Sequence, residues 1–221
     1  MTKPASRDQL ASMIDHAVLS PEATIDDLIA GCELVRRLDV GCVCVRPCDV
    51  ADVAARLSDT SVAVGTVVGF PHGSAVTAVK AAEARQAIAD GADELDMVLN
   101  IGALRSGRID YVRDDIAAVV AVAGGKIVKV ILECCYLDRD QKMAACEAAV
   151  EAGASFVKTS TGTAPGGATV EDVALLRSQV PDNVGVKAAG GIRTLADALA
   201  MIEAGATRIG ASATESILAE L

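Results

Sequence analysis

Aromatic side chains and histidines are scarce in this sequence of 221 residues. Aromatic residues make up 2% of the chain, tryptophan is absent and there are two histidines, whereas hydrophobic residues make up 52%. A core without aromatic rings has to be built from Ala, Val, Ile and Leu, which favours a helix-wrapped parallel sheet over an aromatic-rich sandwich. Two histidines also leave little material for a zinc site.

Basic clusters and long apolar runs are missing as well. The net charge is −10 and no run of Lys and Arg occurs, so we expect no nucleic-acid partner, because neutralising phosphates needs clustered cations. No apolar stretch approaches the roughly 20 residues of a membrane span, which excludes that class. An anionic ligand would therefore have to be held by a local device such as backbone N–H groups.

The chain has seven cysteines, an odd number, and no secretory leader is visible in residues 1–15. A reducing cytoplasm is therefore the expected location. Cys42, Cys44 and Cys48 are closely spaced, as metal ligands often are. Cys42 and Cys44 alternate in a strand-like run, however, and we expect their side chains on opposite faces, so no metal site is predicted.

A short sequence pattern recurs along the chain around Gly41, Gly91, Gly153 and Gly205. In each case a helix-like run ends, a glycine and a small residue follow, and an apolar strand-like run begins. A glycine in this place is typical of the left-handed residue that ends a helix. The glycines lie 50, 62 and 52 residues apart, which is room for two βα units per interval and about eight units in all.

Strand-like runs and helix-like runs alternate over the whole chain. The strand-like runs cover residues 16–19, 42–45, 62–68, 94–98, 127–132, 155–159, 184–188 and 208–210. The clearest helical patterns cover 74–90, 138–152 and 194–204, where Thr194 and Asp197 stand in the positions of a capping box. Residues 6–14 predict an extra short helix before the first strand.

This alternation predicts an α/β protein with one (β/α)8 TIM barrel domain spanning residues 1–221. The alternative is an open, doubly wound sheet. It is disfavoured because no G-x-G-x-x-G sequence follows the first strand, as a dinucleotide-binding fold of that class would have.

Three charged residues at strand ends carry the functional hypothesis, because the chemistry of a barrel lies at the C-terminal ends of its strands. Lys158 and Lys187 end the neighbouring strands six and seven, and Asp96 lies on strand four. Mutual repulsion and burial lower the pKa of one lysine. A neutral lysine forms a Schiff base with a carbonyl, and Asp96 could carry the protons. The alternative for either lysine is an ion-pair or snorkelling role.

For most other polar residues near the strand ends, structural roles are predicted. Lys129 and Glu133 are predicted to form a structural pair that orients the site. His16 and His72 are predicted to be hydrogen-bonded loop residues. Cys44 could face the mouth of the site, although a small buried side chain is the usual role of a cysteine.

Glycine-rich segments follow the last three strands and predict a phosphate site. Gly162 follows strand six, Gly190 and Gly191 follow strand seven, and Gly210 and Ser212 lie between strand eight and the last helix. In barrels the loops after strands seven and eight often bind phosphate, and glycine lets backbone N–H groups approach the anion. The alternative is that these segments are simply tight turns.

Several of these segments together resemble a known family. "ELDMVLN", "FVKTSTG" and "VKAAGGIRT", with "IDHAVL", "VVGFPHG" and "KVILE", are similar to the deoxyribose-phosphate aldolases, class I aldolases with a (β/α)8 fold. The resemblance extends from about residue 13 to residue 214.

The resemblance implies a role for each catalytic candidate. Lys158 would be the Schiff-base lysine, Lys187 would lower its pKa, and Asp96 would act as acid and base through a water. The reaction would be the reversible cleavage of 2-deoxy-D-ribose 5-phosphate to acetaldehyde and D-glyceraldehyde 3-phosphate, in deoxyribonucleoside catabolism and without a metal or organic cofactor. The candidate substrate-binding residues are Asp15, Cys44, Lys129, Thr159, Thr161, Gly162, Gly190, Gly191, Gly210 and Ser212.

The sequence departs from that family in several places, two of which concern phosphate binding and proton transfer. Some members have a lysine where this chain has Thr163, and some end in a tyrosine that assists proton transfer, whereas the tyrosines here are Tyr111 and Tyr136. Two other functions stay open: another Schiff-base aldolase of a phosphorylated sugar, or a non-catalytic phosphosugar-binding barrel. A homodimer is compatible with a barrel of this size.

Overall fold

The structure, a computed structural model, describes residues 6–221, and the strands of this part close into a parallel barrel. Each strand pairs with the next along the chain, and the last pairs with the first. The predicted (β/α)8 barrel is thereby confirmed and the open sheet is wrong. The strands of the described residues are β1 Ile14–Val18, β2 Cys42–Val45, β3 Ala63–Val68, β4 Glu94–Val98, β5 Ile127–Ile131, β6 Phe156–Lys158, β7 Gly185–Ala189 and β8 Arg208–Ala211.

Helices lie between these strands and surround the barrel. The first precedes β1, as predicted, whereas the short helix after β4 was not anticipated. Within residues 6–221, no helix combines the length and the apolar character that crossing a membrane requires. The helices are α1 Arg7–Ser12, α2 Ile25–Leu38, α3 Val50–Leu57, α4 Thr77–Ala89, α5 Ile101–Arg105, α6 Ile109–Val122, α7 Arg139–Glu151, α8 Val170–Gln179, α9 Leu195–Glu203 and α10 Thr214–Ala219.

Local sequence explains where individual helices begin. Ahead of α9, the Thr194 hydroxyl accepts a hydrogen bond from the Asp197 backbone N–H at 3.1 Å, and the Asp197 carboxylate accepts one from the Thr194 N–H at 3.0 Å. This is the predicted capping box, with Asp in the place of Glu. Asp138 and Gln141 make the same reciprocal contacts ahead of α7.

The recurring glycines end their helices as predicted in three cases of four. Gly91, Gly153 and Gly205 have φ angles of 106°, 81° and 114°, which glycine adopts without steric cost. Gly41 does not have a positive φ, and Asp39 at the end of α2 takes the left-handed conformation instead, with φ 49°. Gly41 is required for space, because an added Cβ would lie 2.2 Å from a backbone oxygen at the end of α1.

The strands have an apolar outer face and a polar inner face. Outward side chains such as Val43, Val130 and Val157 are fully buried in the core between the barrel and the helices. One end of the barrel interior holds the ring of Phe156, and Gly185 gives it room, since a Cβ there would lie 2.2 Å from the ring. The outer layer thus supplies the apolar burial that stabilises the fold, which leaves the interior available for charged groups.

A buried charge pair lies between the helices, outside the barrel interior. Lys80 on α4 and Asp115 on α6 are joined at 2.6 Å, and both side chains are completely buried. The ammonium of Lys80 also donates to the carbonyl of Val98 at 2.9 Å, and Thr77 donates to the carboxylate at 2.8 Å. The pair therefore ties two helices to the C-terminal end of β4.

We expect Asp115→Asn to lower the free energy of unfolding by about 3–5 kcal/mol, because it leaves a buried ammonium without its counter-charge. Urea denaturation measures the change. Asp59→Asn is the matched control, since it breaks the exposed Arg36–Asp59 pair and should change stability little. Equal stabilities of the two variants would show that the buried pair does not anchor the helices.

Candidate active site

Strand register brings the two lysines together, as the sequence predicts. Lys158 is the last residue of β6 and lies directly beside Lys187 on β7. The Nζ atom of Lys158 lies 2.7 Å from Oδ2 of Asp96, and Nζ of Lys187 lies 2.7 Å from the same oxygen. The two nitrogens are therefore within about twice that distance of each other. All three side chains are buried.

Lys129 lies under this group and joins it to a second layer of charges. Its Nζ lies 2.9 Å from Oδ1 of Asp96, 2.9 Å from Oδ2 of Asp15 and 2.6 Å from Glu94. Asp15 also binds Lys187, at 2.5 Å. Each carboxylate in the barrel is thus shared between cations, which offsets the cost of burying them.

Arg208 completes the cluster at the N-terminal ends of the strands. Its Nε lies 2.6 Å from Oδ1 of Asp15, and its Nη2 lies 2.9 Å from Glu94. Neither Glu94 nor Arg208 was among the predicted site residues. Their inward orientation was predictable from the sequence, because residues two apart in a strand share a face. Glu94 stands two residues before the inward Asp96, and Arg208 stands two residues before Gly210.

The surroundings shift the lysine pKa values in opposite directions. Burial is the main cause that lowers the pKa of Lys158, and the charge of Lys187 adds to it, while Asp96 opposes the shift. Burial would also lower the pKa of Lys187, but Asp15 and Asp96 more than offset it and raise that pKa. Burial would raise the pKa of Asp96, but the three lysines hold it well below its usual range. Lys158 is therefore the amine that loses its proton first.

The predicted pair of Lys129 and Glu133 is wrong. Lys129 points into the barrel, whereas Glu133 follows β5 in a left-handed conformation with φ 58°. Its buried carboxylate accepts hydrogen bonds from the backbone N–H of Thr161 at 3.2 Å and from the Thr161 hydroxyl at 2.5 Å. Glu133 therefore holds the segment that follows Lys158.

The prediction that Cys42 and Cys44 face opposite sides is also wrong, because residues two apart in a strand share a face. Both point into the barrel, and burial raises the pKa of Cys44 to about 11. The thiol of Cys42 and carboxylates of Asp15 and Glu94 lie within 4.8 Å of one another. The ammonium of Lys129 contacts both carboxylates, so a side chain of the protein itself supplies positive charge to them.

Each histidine differs in one respect from the prediction of a hydrogen-bonded loop residue. β1 begins at Ile14, so His16 lies within a strand and not in a loop. The buried ring of His16 shares a hydrogen bond of 2.9 Å with the Thr214 hydroxyl. His72 lies in a loop, as predicted, but it is exposed and the described residues provide no hydrogen bond to it.

A cleft of about 690 Å³ opens above the two lysines at the C-terminal end of the barrel. Lys158 and Lys187 form part of its floor. Asp96 and Lys129 lie below that floor and do not line the cleft. Thr159 does not line it either, because its hydroxyl donates to the Ala189 carbonyl on β7 at 3.1 Å. Arg193, which the sequence analysis missed, lies at the edge of the cleft. The predicted substrate-binding residues that line it are Asp15, Cys44, Thr161, Gly162, Gly190, Gly191, Gly210 and Ser212.

Glycines allow three chain segments to meet at one side of the cleft. Gly162 and Gly190 have φ angles of 87° and 89°, and a Cβ on Gly190 would lie 3.0 Å from Cα of Gly167. Gly210 lies within β8, inside the predicted strand-like run 208–210. A Cβ there would lie 3.1 Å from Cε of Lys187, so Gly210 makes room for the lysine side chain.

Comparison with known proteins agrees with this architecture. Residues 8–219 match the model of the DeoC/LacD family aldolases. A deoxyribose-phosphate aldolase from Caldanaerobacter subterraneus subsp. tengcongensis is 52% identical over 100% of this chain and 96% of its own. One from Thermococcus gammatolerans is 55% identical over 92% of each chain. The tetrameric deoxyribose phosphate aldolase from Aeropyrum pernix superimposes with a TM-score of 0.92 and 33% identity, covering 99% of this chain and 93% of its own.

The match covers nearly the whole chain, including the segments that carry the lysine cluster and the cleft. The residues at the floor of the cleft also suit carbon–carbon lyase chemistry at an amine. This protein is an aldolase and belongs to the DeoC/LacD aldolase family.

Proposed function

We propose that this aldolase reversibly cleaves 2-deoxy-D-ribose 5-phosphate to acetaldehyde and D-glyceraldehyde 3-phosphate, through a Schiff base on Lys158. The observation that carries the proposal is the position of Lys158, whose amine borders the cleft and shares one oxygen of Asp96 with Lys187. The relatives that are named deoxyribose-phosphate aldolases support the choice of substrate.

The first step of the proposed mechanism is attack of the neutral Lys158 amine on the sugar aldehyde. Loss of water from the resulting carbinolamine needs a proton donor, and the ammonium of Lys187 is the nearest one. Oδ2 of Asp96 contacts both amines, so a proton can pass between them through one carboxylate. The product of this step is a protonated imine, which withdraws electrons from the adjacent carbon.

The carbon–carbon bond then breaks between the second and third carbons of the sugar. A base removes the proton of the C3 hydroxyl, and the electrons of the broken bond move into the imine to form an enamine. Asp96, acting through a water, is the proposed base, and it is held ionised by its lysine neighbours. Protonation of the enamine and hydrolysis release acetaldehyde and restore Lys158.

The phosphate end of the substrate is assigned to the glycine-lined side of the cleft. Gly190, Gly191 and Ser212 follow β7 and β8 there, where backbone N–H groups and nearby helix starts favour an anion. Arg193 adds a positive charge at the edge. Thr163 also lines the cleft, where its hydroxyl lies 3.0 Å from the Thr161 hydroxyl. It contributes a hydroxyl at the position where some family members have a lysine.

The remaining predicted residues receive positioning or lining roles. Lys129 is proposed to act from below the floor and Thr159 through its hydrogen bonds to Ala189 on β7, whereas Asp15, Cys44 and Thr161 border the bound sugar. We also propose that the chain works as one domain in a reducing cytoplasm, with its seven cysteines as free thiols. The homodimer stays a prediction. Residues 1–5 of the predicted domain lie outside the described part of the chain.

Borohydride trapping tests the proposal directly. With acetaldehyde present, reduction of the imine should add the mass of one ethyl group to the peptide that contains Lys158, and peptide mapping measures it. Lys158→Met should lose both the adduct and the cleavage activity, because Asp15 and Asp96 raise the pKa of Lys187, the other amine at the floor of the cleft, and keep it protonated. The control Lys126→Met alters a lysine paired with Asp93 on the surface and should keep both. An adduct on a different lysine would overturn the assignment, and ligand binding without any turnover would favour the non-catalytic alternative.

We expect Lys187→Leu to lower activity about tenfold or more at pH 7 and to regain part of it in alkali. The charge of Lys187 contributes to lowering the pKa of Lys158, so its removal raises that pKa, and the fraction of neutral amine falls about tenfold for each unit. The fraction recovers as the pH rises through the new value. Recovery is partial because the proton donor is lost as well. A pH–rate profile measures this, and a uniform loss at every pH would contradict the pKa role.

Arg193→Gln should raise KM for the phosphorylated sugar about tenfold and leave kcat nearly unchanged, because one charge-assisted contact to the phosphate is lost. Steady-state kinetics with 2-deoxyribose 5-phosphate and with unphosphorylated 2-deoxyribose measure the effect. The second substrate should be insensitive to the change. Arg85→Gln on the exposed side of α4 is the control, and equal effects on both substrates would place the phosphate elsewhere.

A further inference from the structure

The charges inside the barrel do not balance when every group is ionised. Among the described residues the connected cluster contains four bases and three acids. Fully ionised, it carries one surplus positive charge in a closed interior, where an uncompensated charge is costly. Loss of one proton from one lysine makes the cluster neutral. The bases are Lys129, Lys158, Lys187 and Arg208, and the acids are Asp15, Glu94 and Asp96.

The carboxylates that each base contacts within the cluster indicate which base gives up the proton. Lys129 is in contact with three carboxylates, while Lys187 and Arg208 each contact two. Lys158 contacts Asp96 alone among the described residues, and it shares that oxygen with Lys187. Lys158 is therefore the least compensated base, and it is also the one at the cleft.

We infer that Arg208 and Glu94, at the end of the barrel opposite the cleft, act as positioning residues that set the protonation state of Lys158 through the charge balance of this cluster. The inference rests on the proposed Schiff-base role of Lys158. Neither residue lines the cleft, so neither touches the substrate. Their influence passes through shared carboxylates.

A continuous path of contacts connects the two ends. Arg208 binds Oδ1 of Asp15 at 2.6 Å, and Oδ2 of Asp15 binds Lys187 at 2.5 Å. Lys187 then binds the oxygen of Asp96 that also holds Lys158. Glu94 is connected to this path through Lys129, whose Nζ lies 2.6 Å from Oε2 of Glu94. The thiols of Cys42 and Cys44 also face the cluster, but burial raises both pKa values, so they add no charge at neutral pH.

The two residues should shift the pH dependence in opposite directions. Arg208→Gln removes a positive charge, so a fully ionised cluster becomes neutral and Lys158 keeps its proton to higher pH. The acid limb of kcat/KM, which falls as Lys158 is protonated, should move up by about one pH unit. Glu94→Gln removes a negative charge, so the acid limb should move down by a similar amount.

Pairs of variants separate charge balance from structural damage. Glu94→Gln combined with Arg208→Gln restores the original surplus of one charge, so its acid limb should return to the wild-type position even if kcat is lower. Arg208→Lys keeps the charge and should keep the limb in place. Arg36→Gln, at an exposed ion pair on the outer surface, makes the same charge change remotely and should shift nothing.

The experiment is a set of pH profiles of kcat/KM for cleavage, with borohydride trapping and peptide mapping on each variant. Opposite shifts of the single variants with recovery in the double variant support the inference. Shifts of the same sign, or lower activity with an unmoved limb in both single variants, overturn it. If wild-type protein forms no adduct on Lys158, the proposed function fails first; an adduct on Lys158 with unmoved limbs defeats the charge-balance inference alone.

Discussion

One carboxylate joins the cations at the floor of the cleft. Asp96 receives Lys129 on one oxygen and both Lys158 and Lys187 on the other, and its side chain is completely buried. Three ammonium groups inside a closed barrel would repel one another strongly at low effective dielectric. Because Asp96 and Asp15 lie between them, the lysines can stay close enough to exchange a proton. The arrangement ties the reactivity of Lys158 to the same contacts that make the polar interior tolerable.

Much of this fold could be predicted from the sequence. Two strand-like runs, 42–45 and 94–98, have the bounds of β2 and β4, because Val, Leu and Met alternate with inward residues between clear turn signals. The meeting of Lys158 with Lys187 followed from strand order alone, since consecutive strands of a parallel barrel are neighbours. Asp96 came within reach because it lies at an inward position of β4.

The partners across the barrel could not be predicted in the same way. Lys129 meets Asp15, 114 residues away along the chain, and Arg208 meets Glu94 at the same separation. Which inward residues share a level depends on the stagger of strands when the barrel closes, and hydrophobic periodicity carries no information on it. The incorrect pairing of Lys129 with Glu133 rested on their closeness along the chain. The chain turns left-handed at Glu133 and directs its carboxylate to Thr161.

Small residues explain how so many long side chains fit inside an eight-stranded barrel, whose interior is just wide enough to be filled by side chains. A Cβ on Gly65 would lie 2.8 Å from the thiol of Cys42, and one on Gly210 would lie 3.1 Å from Cε of Lys187. Glycine on the inner face of β3 and β8 therefore provides the volume that the cysteine and lysine side chains occupy. A filled interior restricts the rotamers of those chains, so the amines are oriented before substrate arrives. Catalysis gains from such preorganised charges because little reorganisation is needed during the reaction.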